Sequence, residues 1–331
     1  MKAQLNRLRA RGLEIEDSNS ALLALENLNY YRLAGYWYPF RKLKASSTRN
    51  SAQILNPRFK KFVEGHSFNE VLELYKWDEK LRILVFEAIV AVEVKLRTQV
   101  GHVLGRRSPV AHRNPECFEA GFSKVKKSSD DEKAFSNHEK WVYKIDRIIT
   151  SRMNVDDGVT HQIKKYEDLH IWAVVELLSF STLIDAYHHL KGADKKLVAE
   201  SFSIGNPGVF YSMLRSAAEV RNVVAHHGRL WNANVRNPSQ LPKRGTTHPE
   251  LDHLPRTGVS NFRLYSVLCV LTVLSAETEL GSTFKGNLKE HLSDFPEIQG
   301  ISLAQAGFVE GWENQAIWTG SGGFPVTPVA S

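Results

Sequence analysis

The chain has 331 residues, of which 42% are hydrophobic and 24% are charged, close to the average of soluble globular domains. This composition excludes a disordered chain, a collagen and a disulfide-stabilised miniprotein. The formal net charge of +7 comes from one end, because residues 1–62 hold 12 Lys and Arg against 4 Asp and Glu. A basic end on a near-neutral body favours an anionic partner such as nucleic acid. The alternative is a solvated basic surface.

Cysteine usage and hydropathy predict a cytoplasmic protein that does not associate with membranes. Cys117 and Cys269 lie far apart and belong to no ligand-spaced cluster, which fits a reducing compartment. The most apolar run, Leu264–Leu274, is too short to cross a bilayer. Residues 1–16 lack the apolar centre of a signal peptide.

Helical periodicity dominates the chain and predicts an all-α fold. Helices are expected at about 3–11 and from about residue 17 onward. Residues 29–40 contain six aromatic side chains, which we interpret as a core plug between helices. The alternative is that these rings stack on nucleobases while Arg32 and Arg41 reach phosphates.

The middle of the chain contains the longest predicted helix. Ser67 and Glu70 form the pattern of a capping box, and the helix that they open extends to about Leu104. The charged stretches 42–61 and 106–137 are predicted loops. Further helices are expected at about 138–152 and from Trp172 to Leu190.

The second half is predicted to contain a helix at 207–226 and a central apolar helix at 261–280. Trp312 and Trp318 are expected to anchor the C-terminal tail, of which the last ten residues are predicted to be disordered. We divide the chain into a basic N-terminal helical extension (1–62), a helical domain (63–298) with insertions at about 106–137 and 232–258, and a Gly-rich, partly disordered tail (299–331).

The segment Arg221–Asn232 carries the most informative chemistry. Asn222 and His226 lie one helical turn apart, so the amide can orient the imidazole. Arg221 and His226 are about 140° apart on an ideal helix. They therefore converge only if the helix ends near Ala225, or if two chains meet.

A histidine beside an arginine suits metal-independent RNA cleavage. The histidine can take the proton of the ribose 2′-OH or protonate the leaving 5′-oxygen, and the arginine can stabilise charge on the phosphate. Spacing alone favours the alternative of a helix end at which His226 and His227 interact with the helix dipole. Two further pairs share the Arg-x4-His spacing: Arg97 with His102, and Arg107 with His112.

Five sequence blocks together indicate a family. They are Asn29–Phe40, Leu74–Arg82, Ala91–Thr98, Trp172–Phe180 and Arg221–Asn232. In this order they resemble the Abi-like (AbiD/AbiF) family of bacterial abortive-infection proteins over about residues 5–235. That family is similar to the HEPN superfamily of helical RNases, whose motif of Arg, a polar residue, three further residues and His matches Arg221, Asn222 and His226.

The resemblance implies an all-α, HEPN-like helical bundle and a metal-independent endoribonuclease that leaves 2′,3′-cyclic phosphate ends. Arg221 and His226 would be catalytic, Asn222 orienting and His227 accessory, and which histidine is the main one stays open. Because the chain has one convincing motif, the resemblance implies a homodimer with a composite site. It also implies anti-phage defence, with the chain as the toxin of a toxin–antitoxin system and a small structured non-coding RNA as a partner.

Two alternatives remain, a non-catalytic RNA-binding module and a phage-sensing interaction protein. No paired carboxylates with a histidine at ligand spacing are found in the sequence, so we expect no metal and no cofactor. The predicted RNA-binding residues are Arg9, Arg11, Arg32, Arg41, Lys60 and Lys61.

Overall fold

The computed structural model describes residues 1–44, 58–125, 135–240, 248–255 and 260–320. Within these ranges the chain forms thirteen α-helices and one two-stranded antiparallel sheet. The predicted all-α fold is therefore confirmed. None of the described helices is long and apolar enough to pass through a membrane.

The elements are named here in chain order. The helices are α1 (Lys2–Ala10), α2 (Ser18–Leu28), α3 (Tyr30–Trp37), α4 (Phe68–Gly105), α5 (Asn137–Arg152), α6 (Asp157–Tyr166), α7 (Ile171–Leu177), α8 (Phe180–His189), α9 (Gly192–Glu200), α10 (Pro207–Ala225), α11 (Leu264–Ala276), α12 (Thr283–Ser293) and α13 (Ala316–Thr319). The strands are β1 (Arg41–Leu43) and β2 (Arg58–Phe62).

Helix α4 is the element around which the others pack. The predicted capping box is present, because the Ser67 hydroxyl accepts the amide of Glu70 and the Glu70 carboxylate accepts the amide of Ser67. This pairing satisfies two of the free N–H groups at the helix start. The apolar stripe of α4 is buried, and α3, α7, α10 and α11 pack against this helix.

The single helix predicted from Trp172 to Leu190 is wrong, because the structure has two. Helix α7 ends at Leu177, and the Ser179 hydroxyl accepts the amide of Thr182 as the N-cap of α8. An apolar pattern that continues through the break hides it from periodicity. The Ser N-cap is the local signal of a new helix.

The predicted loop at 42–61 also needs correction at both ends. Residues 41–43 and 58–62 form β1 and β2, in a register that pairs Arg41 with Phe62 and Leu43 with Arg58. Residues 45–57 lie outside the described ranges. Helices α3, α6, α9, α12 and α13 are additional to those predicted, and the aromatic block at 29–40 is itself largely helical.

One hydrophobic core includes side chains from both ends of the chain. Leu8 and Trp37 of the N-terminal region are buried in it. Helix α11 is buried along nearly all of its length, as its apolar pattern predicts. Trp318 is buried and its indole N–H donates to the Tyr265 hydroxyl at 3.3 Å. The last ten residues, predicted to be disordered, lie outside the described ranges.

Candidate active site

The Arg-Asn-x3-His motif lies at the C-terminal end of α10. Pro207 occupies the first turn of this helix, where its missing N–H costs nothing. The helix ends at Ala225, one residue before its predicted end. The amide of His227 donates to the carbonyl of Val224 at 2.9 Å, and the amide of Gly228 donates to that of Val223 at 2.8 Å. These two hydrogen bonds form a Schellman motif, which satisfies the last carbonyls of the helix.

His227 occupies the position of this motif that is usually glycine. Its φ is +55°, in the left-handed region where a Cβ atom costs about 1 kcal/mol. Gly228 follows, where a Cβ would lie 3.0 Å from Val223 Cγ1 and 3.1 Å from the Val223 carbonyl oxygen. Gly228 is therefore needed because the backbone passes close to Val223. His227, the residue before it, is kept in a strained backbone conformation.

Helix α3 holds this turn from one side. Arg32 Nη1 donates to the carbonyl oxygen of His227 at 2.5 Å. Arg229 reaches back in the opposite direction and donates from Nη1 to the carbonyl oxygen of Gly35. Both are charge-assisted hydrogen bonds, which are stronger than neutral ones. The Arg32 bond holds the carbonyl of the left-handed residue His227, and the Arg229 bond ties the segment after the turn to α3.

The buried carboxylate of Asp78, on α4, binds the end of the turn segment through backbone amides. Its oxygens accept the amide of Leu230 at 3.1 Å and that of Trp231 at 2.7 Å. They also accept the Tyr36 hydroxyl and Arg82 Nη1, both at 2.6 Å. Burial raises the pKa of Asp78, while Tyr36, Arg82 and the two amides lower it. Because every one of these neighbours donates, the ionised carboxylate is the form that satisfies them.

Three sequence blocks thus converge at one place. The block Asn29–Phe40 supplies Arg32 and Tyr36, the block Leu74–Arg82 supplies the carboxylate, and the block Arg221–Asn232 supplies the turn. Asp78 was not singled out in the sequence, because a lone aspartate on a helix is usually solvated. Its signal was its position between Trp77 and apolar neighbours on the buried stripe.

The two histidines line different grooves. His226 and Asn222 line a groove of about 660 Å³ between α8 and α10, together with Arg215 and Arg236. His227 lines a groove of about 870 Å³ between α4 and the α2–α3 junction, which has Arg32, Tyr75, Glu79 and Phe86 among its other lining residues. Both histidine side chains are exposed.

Arg221 is not among the residues lining either groove. Its Nε is buried and has no hydrogen-bond partner within the described ranges. His226 keeps near-helical dihedrals (φ −94°, ψ 13°), so the early end of α10 does not turn it towards Arg221. Asn222 and His226 share a groove, and no hydrogen bond joins their side chains in the described part of the chain.

The other two Arg-x4-His pairs have structural roles. Arg97 Nη1 donates to the carbonyls of Val175 and Leu178 at 2.5 and 2.7 Å, which caps the end of α7. Arg107 pairs with Asp194 at 2.6 Å. Burial lowers the pKa of His112 to about 4.

The predicted RNA-binding residues differ in whether their side chains already bind other groups of the protein. Arg32 is bound to the turn, as described above. Arg9 donates to the Ser18 hydroxyl, and Arg11 Nη1 donates to the Tyr30 hydroxyl at 3.3 Å. Lys60 and Lys61 are exposed on β2.

Arg41 lies in the aromatic cluster of residues 29–40. Its guanidinium carbon is 5.5 Å from the centroid of the Tyr38 ring, within the range of a cation–π interaction. Burial lowers the pKa of Arg41, and the nearby charge of Arg11 adds to this effect. The core interpretation of this block holds for Tyr36, Trp37 and Phe40, which are buried, whereas Tyr31 is exposed.

The described residues offer no metal-binding group. Within them, no three His, Cys, Asp or Glu side chains gather closely enough to hold a metal ion.

Comparison with known proteins gives one match. A family model described as "Abi-like protein" matches residues 23–232, a span that contains all five sequence blocks. No curated protein and no solved structure matches the chain. Since the match covers well over half of the sequence, the chain belongs to the Abi-like protein family, which associates it with abortive infection and defence against phage.

Proposed function

We propose that this chain is a metal-independent endoribonuclease of the HEPN type that acts in abortive infection. The observation that carries the proposal is the turn at the end of α10, residues 226–231. We call it the clamped turn because Arg32 and Asp78 bind its backbone. Two distant blocks of the sequence hold this turn by charged hydrogen bonds. It carries two exposed histidines at the two positions directly after the motif helix ends. A turn built only to end a helix would need neither the strained His227 nor the buried Asp78.

The chemistry assigned to the motif is transesterification at a phosphodiester. A neutral histidine accepts the proton of the ribose 2′-OH, and the 2′-oxygen forms a bond to phosphorus. The bond from phosphorus to the 5′-oxygen breaks, and a protonated histidine gives that oxygen a proton. Arg221 stabilises the charge that develops on the phosphate oxygens. The products are a 2′,3′-cyclic phosphate and a 5′-hydroxyl, with no change of oxidation state.

The site requires two copies of the chain in this proposal. His226 and Arg221 of one copy do not line a common groove, so His226 of one copy works with Arg221 of the other. The reaction needs both a base and an acid, and within one copy His226 and His227 line different grooves. A two-fold dimer brings two motifs together.

An exposed apolar stripe on α4 supports this dimer. Ile83, Phe86, Val90 and Val94 follow helical spacing and are all exposed. Ile83 and Phe86 also line the groove that contains His227. Contiguous exposed apolar residues mark interaction surfaces, and this stripe begins beside the motif that needs a second copy. We assign the stripe to the homodimer contact.

In the defence context, the chain is proposed to be the toxin of a toxin–antitoxin pair with RNA as substrate. A small structured RNA is proposed as a partner, contacted by the basic N-terminal residues. The exposed Lys60 and Lys61 support this contact.

The test is RNA cleavage by the purified full chain in EDTA. Wild type and His226→Ala are compared, and product ends are mapped. His161→Ala serves as the matched control, because His161 is an exposed histidine on α6, outside the motif. We expect wild type and the control to leave 2′,3′-cyclic phosphate ends, and His226→Ala to lose at least 100-fold in rate. Equal rates for wild type and His226→Ala would overturn the assignment.

A non-catalytic RNA-binding module is the second candidate, favoured by the basic residues on β2. It predicts tight, salt-dependent RNA binding by wild type without scission, even when the chain is dimeric. Tight RNA binding without scission in the same assay would favour the binding module over the nuclease.

A further inference from the structure

A ladder of aromatic side chains lies on the surface between α6 and α7. Tyr166 is the last residue of α6, and His170 and Trp172 flank the start of α7. The ring centroids of Tyr166 and His170 are 4.5 Å apart, and those of His170 and Trp172 are 4.8 Å apart. Tyr166 is 47% exposed and Trp172 is 49% exposed, so neither ring is a core residue.

The absence of a side chain at Gly105 of α4 leaves room for the Trp172 ring to pack closely against this helix. A Cβ atom on Gly105 would lie 3.3 Å from Trp172 Cε3 and 3.5 Å from Cζ3. One turn earlier, a Cβ on Gly101 would lie 3.1 Å from Val175 Cγ2. The two glycines let α7 approach α4 closely, and the indole rests on the helix with its outer part in solvent. A ring fixed in advance loses little conformational freedom when a ligand stacks on it.

Cationic and acidic side chains both lie near the ladder. Lys165 Nζ lies 5.0 Å from the centroid of the Tyr166 ring. Trp172 also lines a groove of about 480 Å³ between α4 and α7, together with His102, Arg106 and Glu176. The exposed lysines and arginine at this surface are Lys164, Lys165 and Arg106, and the exposed carboxylates are Glu167 and Glu176.

We propose that the ladder formed by Tyr166, His170 and Trp172 binds unpaired bases of single-stranded RNA. The rings present faces on which bases stack, and stacking accepts every base because each has a π-face. Arg106 and Lys165 lie beside the rings, where they contact the phosphates of the same strand. Exposed rings flanked by lysine and arginine fit a nucleic acid better than a protein partner, since protein contact surfaces are depleted in lysine.

This site lies beyond the proposed cleavage site. Gly105 is at the C-terminal end of α4, whereas Asp78, which holds the catalytic turn, is near its start. About 40 Å of helix separates them at the usual rise per residue. Binding at the ladder uses neither Arg221 nor His226, so it persists if the chain has no nuclease activity.

The experiment measures RNA binding in the His226→Ala background, which prevents cleavage from consuming the probe. The probe is a fluorescent, unstructured six-nucleotide RNA, too short to reach the proposed cleavage site as well, and anisotropy gives the Kd for the full chain. Trp172→Ala and Tyr166→Ala are each expected to weaken binding about tenfold or more. Trp172→Phe, which keeps a stacking ring, is expected to stay within about threefold of the parent. This variant also separates a lost ring from a damaged contact between α4 and α7.

Tyr143→Ala is the matched control, since Tyr143 is 65% exposed on α5 and outside the ladder. It is expected to bind as the parent does. Arg106→Gln is expected to lower the slope of log K against log salt by about 0.7. A duplex of the same sequence is expected to bind at least tenfold more weakly, because its bases are already stacked.

Three results would overturn the proposal. Unchanged Kd values for Trp172→Ala and Tyr166→Ala would leave the ladder to a protein partner. Equal affinity for the duplex would mean that the surface reads phosphate charge rather than bases. Tighter binding of DNA than of RNA would exclude RNA as the ligand. Because the wild-type cleavage assay is separate, these outcomes are independent of whether the nuclease proposal succeeds.

Discussion

The carboxylate of Asp78 accepts the backbone amide of Trp231 at 2.7 Å across 153 positions of sequence. This hydrogen bond ties the buried face of α4 to the segment that follows the motif histidines. With the Arg82 and Tyr36 contacts, it makes one small charged cluster inside a hydrophobic core. The position of the turn that carries His226 and His227 therefore depends on a buried group on α4.

Replacement of Asp78 by asparagine is expected to lower the free energy of unfolding by roughly 3 kcal/mol. The change leaves the buried Arg82 without its counter-charge, and removing one partner of a buried pair is costly. Urea denaturation of wild type and variant measures the difference. Asp185→Asn, at an exposed aspartate on α8, is the control and should change stability little. A loss below about 1 kcal/mol for Asp78→Asn would mean that the cluster does not hold the turn.

Replacement of His227 by glycine is expected to stabilise the fold while reducing RNA cleavage. Glycine adopts the φ of +55° without strain, so the free energy of unfolding should rise by about 0.5–1 kcal/mol. The cleavage rate should fall, because the side chain is assigned an accessory role. His226→Gly is the matched comparison and should destabilise, since His226 keeps near-helical dihedrals. A His227→Gly chain that is both less stable and fully active would contradict both points.

Mixing two inactive variants tests whether the site forms between chains. Arg221→Ala and His226→Ala are each expected to be inactive as pure proteins. After subunit exchange, a mixed dimer has one site with both residues intact if they come from different copies, so about a quarter of wild-type activity should return. A site contained in one chain predicts no recovery. Activity is measured before and after co-refolding, with each variant refolded alone as the control.

Acid is expected to destabilise the protein partly through His112. Burial lowers its folded-state pKa to about 4, below the value of about 6.5 in an unfolded chain. The unfolded state therefore binds the proton first, and stability is complete above about pH 6.5 and falls as pH drops towards 4. His112→Phe should remove this part of the loss, worth roughly 3 kcal/mol at pH 4.

The phenylalanine is tolerable at this position because neither ring nitrogen of His112 has a hydrogen-bond partner among the described residues. Its ion pair with Asp168 is long, at 3.7 Å from Nε2 to Oδ1. Urea unfolding at pH 7 and pH 4.5 gives the comparison. His161→Phe, at an exposed site, should keep the wild-type difference between the two pH values. An unchanged difference in His112→Phe would show that other groups carry the acid sensitivity.

The basic strand β2 is expected to set part of the salt dependence of RNA binding. Lys60→Gln with Lys61→Gln removes two exposed charges, which should lower the slope of log K against log salt by about 1.4 for a single strand. Lys140→Gln, on the exposed side of α5, is the control. An unchanged slope in the double variant would remove residues 58–62 from the RNA surface.

Local signals in the sequence were sufficient for several elements. The capping box of Ser67 and Glu70 marked the start of α4, and Gly228 marked the end of α10. These features depend on residues three to five positions apart, which a sequence pattern contains. The split between α7 and α8 was missed because the apolar pattern outweighed the Ser179 cap.

The candidate site was less accessible from sequence. The motif residues were recognised by their pattern, but the contacts of Arg32 and Asp78 that hold the turn were not. Asp78 meets its partners at distances of 42 and 153 positions along the chain, and no spacing rule links such residues. For the same reason, the ring ladder escaped notice, since Gly105 and Trp172 are neighbours only after α4 and α7 pack.

Helix α4 is unbroken, so its length fixes the distance between the features at its two ends. A stiff helix from Ser67 to Gly105 keeps the clamped turn and the ring ladder at a constant separation of about 40 Å from Asp78 to Gly105. At about 3.4 Å per stacked nucleotide, an RNA needs roughly a dozen stacked nucleotides to touch both places. If both places bind RNA as proposed, shorter oligonucleotides occupy one end only, and the length of the RNA decides whether both are bound.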